Sequence, residues 1–320
     1  MTDLRIPTGY ILEKVPESDE ELVSLLKLDK HSTIEGNVAE IFTENRLVRP
    51  VLEGRLSQFA WWFHSEKWGQ YKASAVSELD ARAWPDLPEY EHQIGRAVRD
   101  AVSGVRIVTF RNGEFGAHEV SDDLIGKEVR LLEQHPMTTL SPEEARNPEL
   151  LGKAVKRLAD HGVLRQVGLQ RLYANFFGPA HPMWDLDCIG VYRGQVIAFD
   201  YKHKYPDSQE KLGANGAISR LYYHLLNRGI PVIYITLDKP RKNRPQSAVD
   251  MLDAGPHEWY VCNARIFSES NWVMQNRNGT AYDGGTPEGS KGARLDQFTL
   301  VRTATEFREF LDMCIECKFR

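Results

Sequence analysis

The sequence predicts an α/β fold, and three observations carry that expectation. A run from Trp184 to Lys202 sets two apolar stretches on either side of Arg193-Gly194, as in a tight β-hairpin. Ahead of it, Leu150, Leu151, Ala154, Val155, Leu158 and Ala159 repeat at helical spacing. Beyond it, Ala217, Ile218, Leu221, Tyr222, Leu225 and Leu226 form a second helical stripe that stops at Gly229 and leads into Pro231–Leu237, an apolar run of strand length. Helix and strand patterns that alternate in this way are the mark of the α/β class.

The elements follow in order. Phe59, Trp61, Trp62, Phe63, Trp68 and Tyr71 make an aromatic-rich segment that reads as core or interface, with base stacking as the other use of such residues. Ile94, Ala97, Val98 and Ala101 mark an amphipathic helix after Pro88. Ile107–Phe115 is a hairpin, because Asn112-Gly113 suits a type I′ turn. Residues 1–132 are thus expected to form a separate N-terminal α+β unit, and the polar, Pro-containing residues 133–148 a linker. Residues 149–320 form the second domain, whose first helix opens on Asn147-Pro148-Glu149, a cap followed by Pro at the first helical position. Farther on, Trp259–Cys262 and Phe298–Val301 read as strands around a Gly- and Asn-rich loop from Asn276 to Arg294. Phe307, Phe310, Leu311, Cys314 and Ile315 mark a docking helix.

Composition narrows the function classes. A chain of 320 residues with 42% hydrophobic and 27% charged residues has the make-up of a globular protein with a sizeable core. It carries no apolar run of membrane-spanning length, and its first residues do not begin a signal peptide, so a cytoplasmic protein is expected. Four cysteines make no disulfide framework at this size, and Cys314-Ile315-Glu316-Cys317 lacks a second pair at zinc-site spacing. Gly284–Lys291 has Ser290-Lys291 in the reverse of the order a phosphate-binding loop needs, which argues against an NTPase. The formal net charge of −5 is not that of a protein that coats nucleic acid, so local charge matters more than the total. Lys202-His203-Lys204 and the run Lys239, Arg241, Lys242 and Arg244 are the basic groups placed to hold a phosphate backbone.

The hairpin carries chemistry. If Arg193-Gly194 is a two-residue turn, Tyr192 pairs with Gln195, and counting outward sets Asp187 opposite Asp200 and Asp185 opposite Lys202. Alternation then places all four side chains on one face, while His203 points the other way. Two carboxylates facing one another repel, and a hard divalent cation with oxygen ligands removes the conflict. Such an ion, held by one or two carboxylates, suits a phosphodiester substrate, and Lys202 is placed to stabilise developing negative charge.

Asp187, a gap that contains the turn, and then Asp200-Tyr201-Lys202 resemble the PD-(D/E)xK nuclease superfamily, over roughly residues 145–240. The resemblance implies a restriction-endonuclease-like αβββαβ core. It also implies Mg²⁺ or Mn²⁺ held by Asp187 and Asp200, and Lys202 as the catalytic lysine. In that superfamily the first core helix often adds an acid, for which Glu149 is the best candidate here, ahead of Glu143 and Glu144. The sequence departs from the pattern in two places. Pro182 stands apart from Asp185 and Asp187, so the metal aspartate is either of these, with Asp187 preferred and Asp185 as an additional group. Gln209 has no Tyr four residues on, against an exonuclease of the recombination type. The expected function is a metal-dependent DNA endonuclease, with nucleic acid as partner and the N-terminal unit free to bind a protein or a second copy. The alternatives are a non-catalytic nucleic-acid-binding or scaffold protein on the same fold, and a metal-dependent nucleotide phosphohydrolase.

Overall fold

The structure is a computed structural model that describes residues 18, 20, 26, 31–67, 70–79, 81–111, 114–121, 124–129, 148–177, 182–238, 248–253, 255–269, 273–275 and 289–316. Helix α1 (His31–Thr43) runs through a π-helical turn (Glu44–Val48) into α2 (Arg49–Leu52). Strands β1 (Ala60–Lys67) and β2 (Gln70–Ser77) precede α3 (Glu89–Ala101), which is followed by β3 (Val105–Arg111), β4 (Glu114–Ser121) and β5 (Leu124–Glu128). Next come α4 (Pro148–Asp160), α5 (Leu164–Phe177), β6 (Met183–Leu186), β7 (Cys188–Tyr192) and β8 (Gln195–Lys204). The chain continues through β9 (Lys211–Asn215), α6 (Gly216–Asn227), β10 (Val232–Asp238), α7 (Ala248–Asp253), β11 (Trp259–Asn263), α8 (Arg265–Glu269), β12 (Ser290–Arg294), β13 (Thr299–Val301) and α9 (Ala304–Glu316). The protein is therefore of the α/β class, as its alternating patterns predict. Among the described residues no helix is long and apolar enough to cross a membrane.

Two large mixed sheets organise these elements. One has the strand order β5-β4-β3-β2-β1-β6, the other β13-β11-β10-β8-β7. In the second, β8 lies between β7, its antiparallel hairpin partner, and β10, which runs parallel to it after the crossover through α6. Residues on alternate sides of β8 feed two cores. Ile197, Phe199 and Tyr201 pack with α1, α4 and α9 through Val38, Leu158 and Phe307. Val196 and Ala198 face Leu221 and Leu225 of α6. That second core also takes in Trp61 and Phe63 of β1 and Ile94 and Val98 of α3. Across the first sheet, Ala60 and Trp62 pack with Leu169, Tyr173 and Phe177 of α5. The aromatic segment is thus core, with Trp61 and Phe63 fully buried, while Trp68 lies outside the described residues.

The N-terminal and C-terminal parts of the chain share these cores. Helix α1 lies against β8 and α4, and β6 leaves the hairpin region to pair with β1, so packed surface crosses from residues 1–132 to residues 149–320. Of the proposed linker, only Pro148 lies within the described residues, at the start of α4. Strands β3 and β4 pair out to Arg111 and Glu114, the residues flanking the expected Asn112-Gly113 turn, which itself lies outside the described residues. Cys188 and Cys262 are buried free thiols and Cys314 is half-buried; Cys317 lies outside the described residues.

The hairpin forms in the predicted register. Tyr192 pairs with Gln195, and the ladder runs to Cys188 opposite Phe199. Arg193 and Gly194 both take positive φ, 48° and 79°, as a two-residue turn of the I′ kind requires. The outer edge of β7 is closed by the chain after α2. Val191 N donates to Arg55 O at 2.9 Å and Ser57 N to Ile189 O at 2.8 Å. This close backbone approach explains Gly190, where an added Cβ would meet Arg55 O at 2.8 Å and collide with Leu52. Gly190→Ala is therefore expected to destabilise the protein by about 2 kcal/mol through overpacking. Urea denaturation should show a lowered midpoint with an unchanged slope.

Candidate functional site

Strand alternation on β8 sets Asp200, Lys202 and Lys204 on the face opposite Phe199 and Tyr201. Asp200 is 1% exposed, and its Oδ1 accepts from Lys202 Nζ at 2.8 Å. Lys202 Nζ also donates to Tyr201 O at 2.9 Å and stands 3.7 Å from Asp187 Oδ2. Asp187 is held by the end of the hairpin. The β7 ladder stops at Cys188, the chain bends at Asp187, and the Asp187 carboxylate turns back to accept the backbone N–H of Tyr201. Asp187 and Asp200 thus share one ammonium group, while Asp200 Oδ2 is buried with no hydrogen-bond partner.

Two further acids surround this pair. Asp185 does not stand opposite Lys202 as the hairpin count predicted. It belongs to β6, which has left the hairpin for the other sheet, where Asp185 pairs with Trp62. The bend at Asp187 is what separates the two ladders. The fourth acid, Glu40, comes from α1 and was not anticipated. In α1 the apolar residues Ile34, Val38 and Phe42 turn to the core. On the other side Asn37, Glu40, Ile41, Glu44 and Asn45, at helical spacing, line a cleft that also reaches Asp185, Asp187 and Tyr201. Asn37 Nδ2 donates to Glu40 Oε2 at 3.0 Å. The π-helical turn begins at Glu44, beside this stripe.

The electrostatics follow from too many carboxylates for the available cations. Burial pushes Glu40 up to about 7, with Lys202 opposing and Asp185 and Asp200 adding to the rise. Burial also raises Asp185 and, more strongly, Asp187, against the pull of Lys202. Asp185 keeps contact with solvent in the cleft, but the protein around it still disfavours its charge. Lys202 suffers a downward push from burial that Asp200, Asp187 and Glu40 outweigh, so it stays charged. Lys204 lacks such company. Its Nζ donates to Gly213 O and lies 5.4 Å from the Tyr234 ring centroid; burial and the charge of Lys202 lower it to about 7.

The other sequence candidates fall as follows. Glu149 is not part of the cluster: it sits in the exposed first turn of α4, 3.7 Å from Lys153 with a side chain 80% exposed. An acid near Asp187 comes instead from α1, whose Glu40 lines the same cleft as Asp185 and Asp187. Lys204 turns into the protein rather than toward a passing backbone. Lys239, Arg241, Lys242 and Arg244, like Glu143 and Glu144, lie outside the described residues.

Among the described residues, no three His, Cys, Asp or Glu side chains converge in an arrangement ready to hold a metal ion. Lys202 occupies the space between the carboxylates of Asp187 and Asp200. In donor chemistry the cluster nevertheless fits a hard divalent cation, since all its groups are carboxylates and one buried oxygen, Asp200 Oδ2, is unpartnered.

No family model matches the chain, and no curated protein or solved structure matches it.

The raised carboxyls make stability depend on pH with a definite sign. A carboxyl whose pKa is higher in the folded state binds more protons folded than unfolded across the interval between its two values. For Glu40 that interval runs from 4.5 to about 7, so its contribution is fully present below it and is lost as pH rises through it. In EDTA the melting temperature should fall from pH 5 to pH 7.5, and Glu40→Gln should reduce that slope. A steeper or unchanged slope in Glu40→Gln would place the effect elsewhere.

Proposed function

We propose that the chain is a metal-dependent nuclease of the restriction-endonuclease-like kind, hydrolysing phosphodiester bonds in DNA. The observation that carries this reading is the buried Asp200 beside Asp187, within a group of acids that a single lysine does not neutralise. An acid cluster of this kind is costly for stability alone and is expected where a cation binds. The Asp200-Tyr201-Lys202 spacing, and a strand that follows the helix and runs parallel to β8, agree with the αβββαβ resemblance.

Asp187 and Asp200, with Glu40 and Asp185, would hold Mg²⁺ or Mn²⁺, which polarises the scissile phosphate and lowers the pKa of a bound water. The remaining work belongs to the protein. Lys202, held in its charged form, stabilises the negative charge that gathers on the phosphate oxygens as water adds to phosphorus and the bond to the leaving oxygen breaks. A charged lysine does not take the proton of the attacking water, so Lys202 acts through its charge. Cation binding must first displace the proton that Glu40 holds below about pH 7, so affinity should rise with pH across neutrality.

The test is incubation with linear duplex, circular and single-stranded DNA and with RNA, in Mg²⁺ or Mn²⁺ and with an EDTA control. Cleavage is expected with metal only, and Asp200→Ala and Lys202→Ala should each reduce it by at least about a hundredfold while melting cooperatively. Glu40→Gln should weaken metal dependence, whereas Glu149→Gln should not. Failure to cut any substrate, in protein shown to be folded, would overturn the reading in favour of a binding or scaffold protein.

A further inference from the structure

We infer that the cleft beside the acids is a nucleobase pocket, which receives the base of a nucleotide whose phosphate lies toward Asp187. The phosphate half of this statement rests on the hydrolytic reading above; the base half rests on the cleft itself. The cleft encloses about 320 Å³, the size of a small-molecule site. It runs between α1, α5 and β1, with Glu40, Asp185 and Asp187 at one end.

Its lining selects the occupant by charge. The cation among the described lining residues is Arg49, which is already engaged by Glu44 and by Asn45 Oδ1 at 3.1 Å. A phosphate inside the cleft would find no counter-charge, and the acids at its end would repel it. A neutral, planar, hydrogen-bonding group meets no such penalty. Its lining includes Gln166 and Gln170 from α5 and the aromatic residues Phe59, Trp62 and Tyr90.

Two buried polar atoms lack the partner that such a group would supply. Trp62 is 7% exposed, and its indole Nε1 has no hydrogen-bond partner. Asn37 commits its amide nitrogen to Glu40, which fixes the orientation of the amide and leaves a buried Oδ1 with no donor. Both atoms belong to residues that line the cleft and are closed to solvent, so a base meets them only as the side chains adjust; its edge carries both complements. The ladder between β1 and β6 places Trp62 directly opposite Asp185. A base held by Trp62 therefore lies next to the acids, as one nucleotide bridging pocket and cluster requires.

Binding in EDTA tests the pocket without cleavage. Isothermal titration with the four deoxynucleosides, and with deoxyribose as a base-free probe, should show binding of at least one nucleoside and none of the sugar. Trp62→Phe keeps the ring but removes the donor and should weaken binding about tenfold. Gln170→Trp, which fills the cleft from α5, should abolish it, so the test survives if one variant fails to fold. Equal binding of deoxyribose, no nucleoside binding at millimolar concentration, or binding unaffected by both variants would each overturn the pocket. If the pocket is confirmed, 2-aminopurine fluorescence identifies the source of the base. A rise with the probe inside a duplex means an extruded base, a rise with the probe at a terminus means a strand end, and no rise in either means a free nucleotide. The hydrolytic reading fails separately, by absence of cleavage in protein that still binds nucleoside.

Discussion

The ammonium group of Lys202 is the interaction on which the acid cluster depends. Asp200 is almost wholly enclosed, and a buried carboxylate without a cation or donors would be protonated or would unfold its surroundings. Lys202 serves Asp200 at 2.8 Å and Asp187 from 3.7 Å, while the Tyr201 N–H gives Asp187 its second support. That arrangement exhausts the nearby charge. Lys204, one strand repeat on, is held near neutrality by the same burial and by Lys202 itself, so it adds little to the compensation. The excess negative charge is relieved in part by a proton on Glu40, which a divalent cation would displace.

This balance requires that β8 not move, and the fold secures it from both sides. Strand β8 is an interior strand, paired with β7 through the hairpin and with β10 in parallel, and its flanking residues feed separate cores. Asp187, by contrast, lies at a bend where the chain passes from one sheet to the other. The acids therefore converge from an interior strand, a bend, the end strand of a second sheet and a helix. Each arrives by a different route of the chain, so the site exists only when both sheets are assembled. A helix early in the chain packed on the later sheet gives the same conclusion from the hydrophobic side, since Ile34 and Val38 bury against the surface that also takes Phe199 and Phe307.

The hairpin was legible because a two-residue turn leaves one register, and apolar alternation on both strands agrees with it. The helix over Ala217 to Leu226 and the strand after Gly229 were legible for the same reason: period, terminator and length all point one way. What failed was the continuation of the ladder past Cys188. Nothing local in Trp184-Asp185-Leu186-Asp187 reveals that a strand more than a hundred residues earlier will take up Asp185, because strand pairing is a long-range choice. Glu149 misled because an acid in the first turn of a helix is favoured by the helix dipole whatever else it does. Glu40 carried a readable signal. Asn37, Glu40 and Glu44 stand on one face of a helix whose other face is apolar. Ile41 lies among them, as on a helix with a half-enclosed polar side.

The cluster and the cleft adjoin through Glu40, Asp185 and Asp187, and each breaks the rules of stable packing. Four acids face one charged lysine; Asp200 Oδ2, Trp62 Nε1 and Asn37 Oδ1 are buried without partners; and α1 is interrupted there by a π-helical turn. Each departure costs stability, and replacing buried charges by apolar groups of similar size often gains it. Buried polar atoms without a partner also lie elsewhere in the protein, Trp84 Nε1 and His118 Nδ1 among them, so it is the gathering of acids around one lysine that sets this place apart. The donors and acceptors left open divide by chemistry. Carboxylate oxygens at one end want a hard cation, and a neutral donor and acceptor along the cleft want a planar polar group. A nucleotide on a divalent cation satisfies both with a single ligand. That economy favours one site over two unrelated ones.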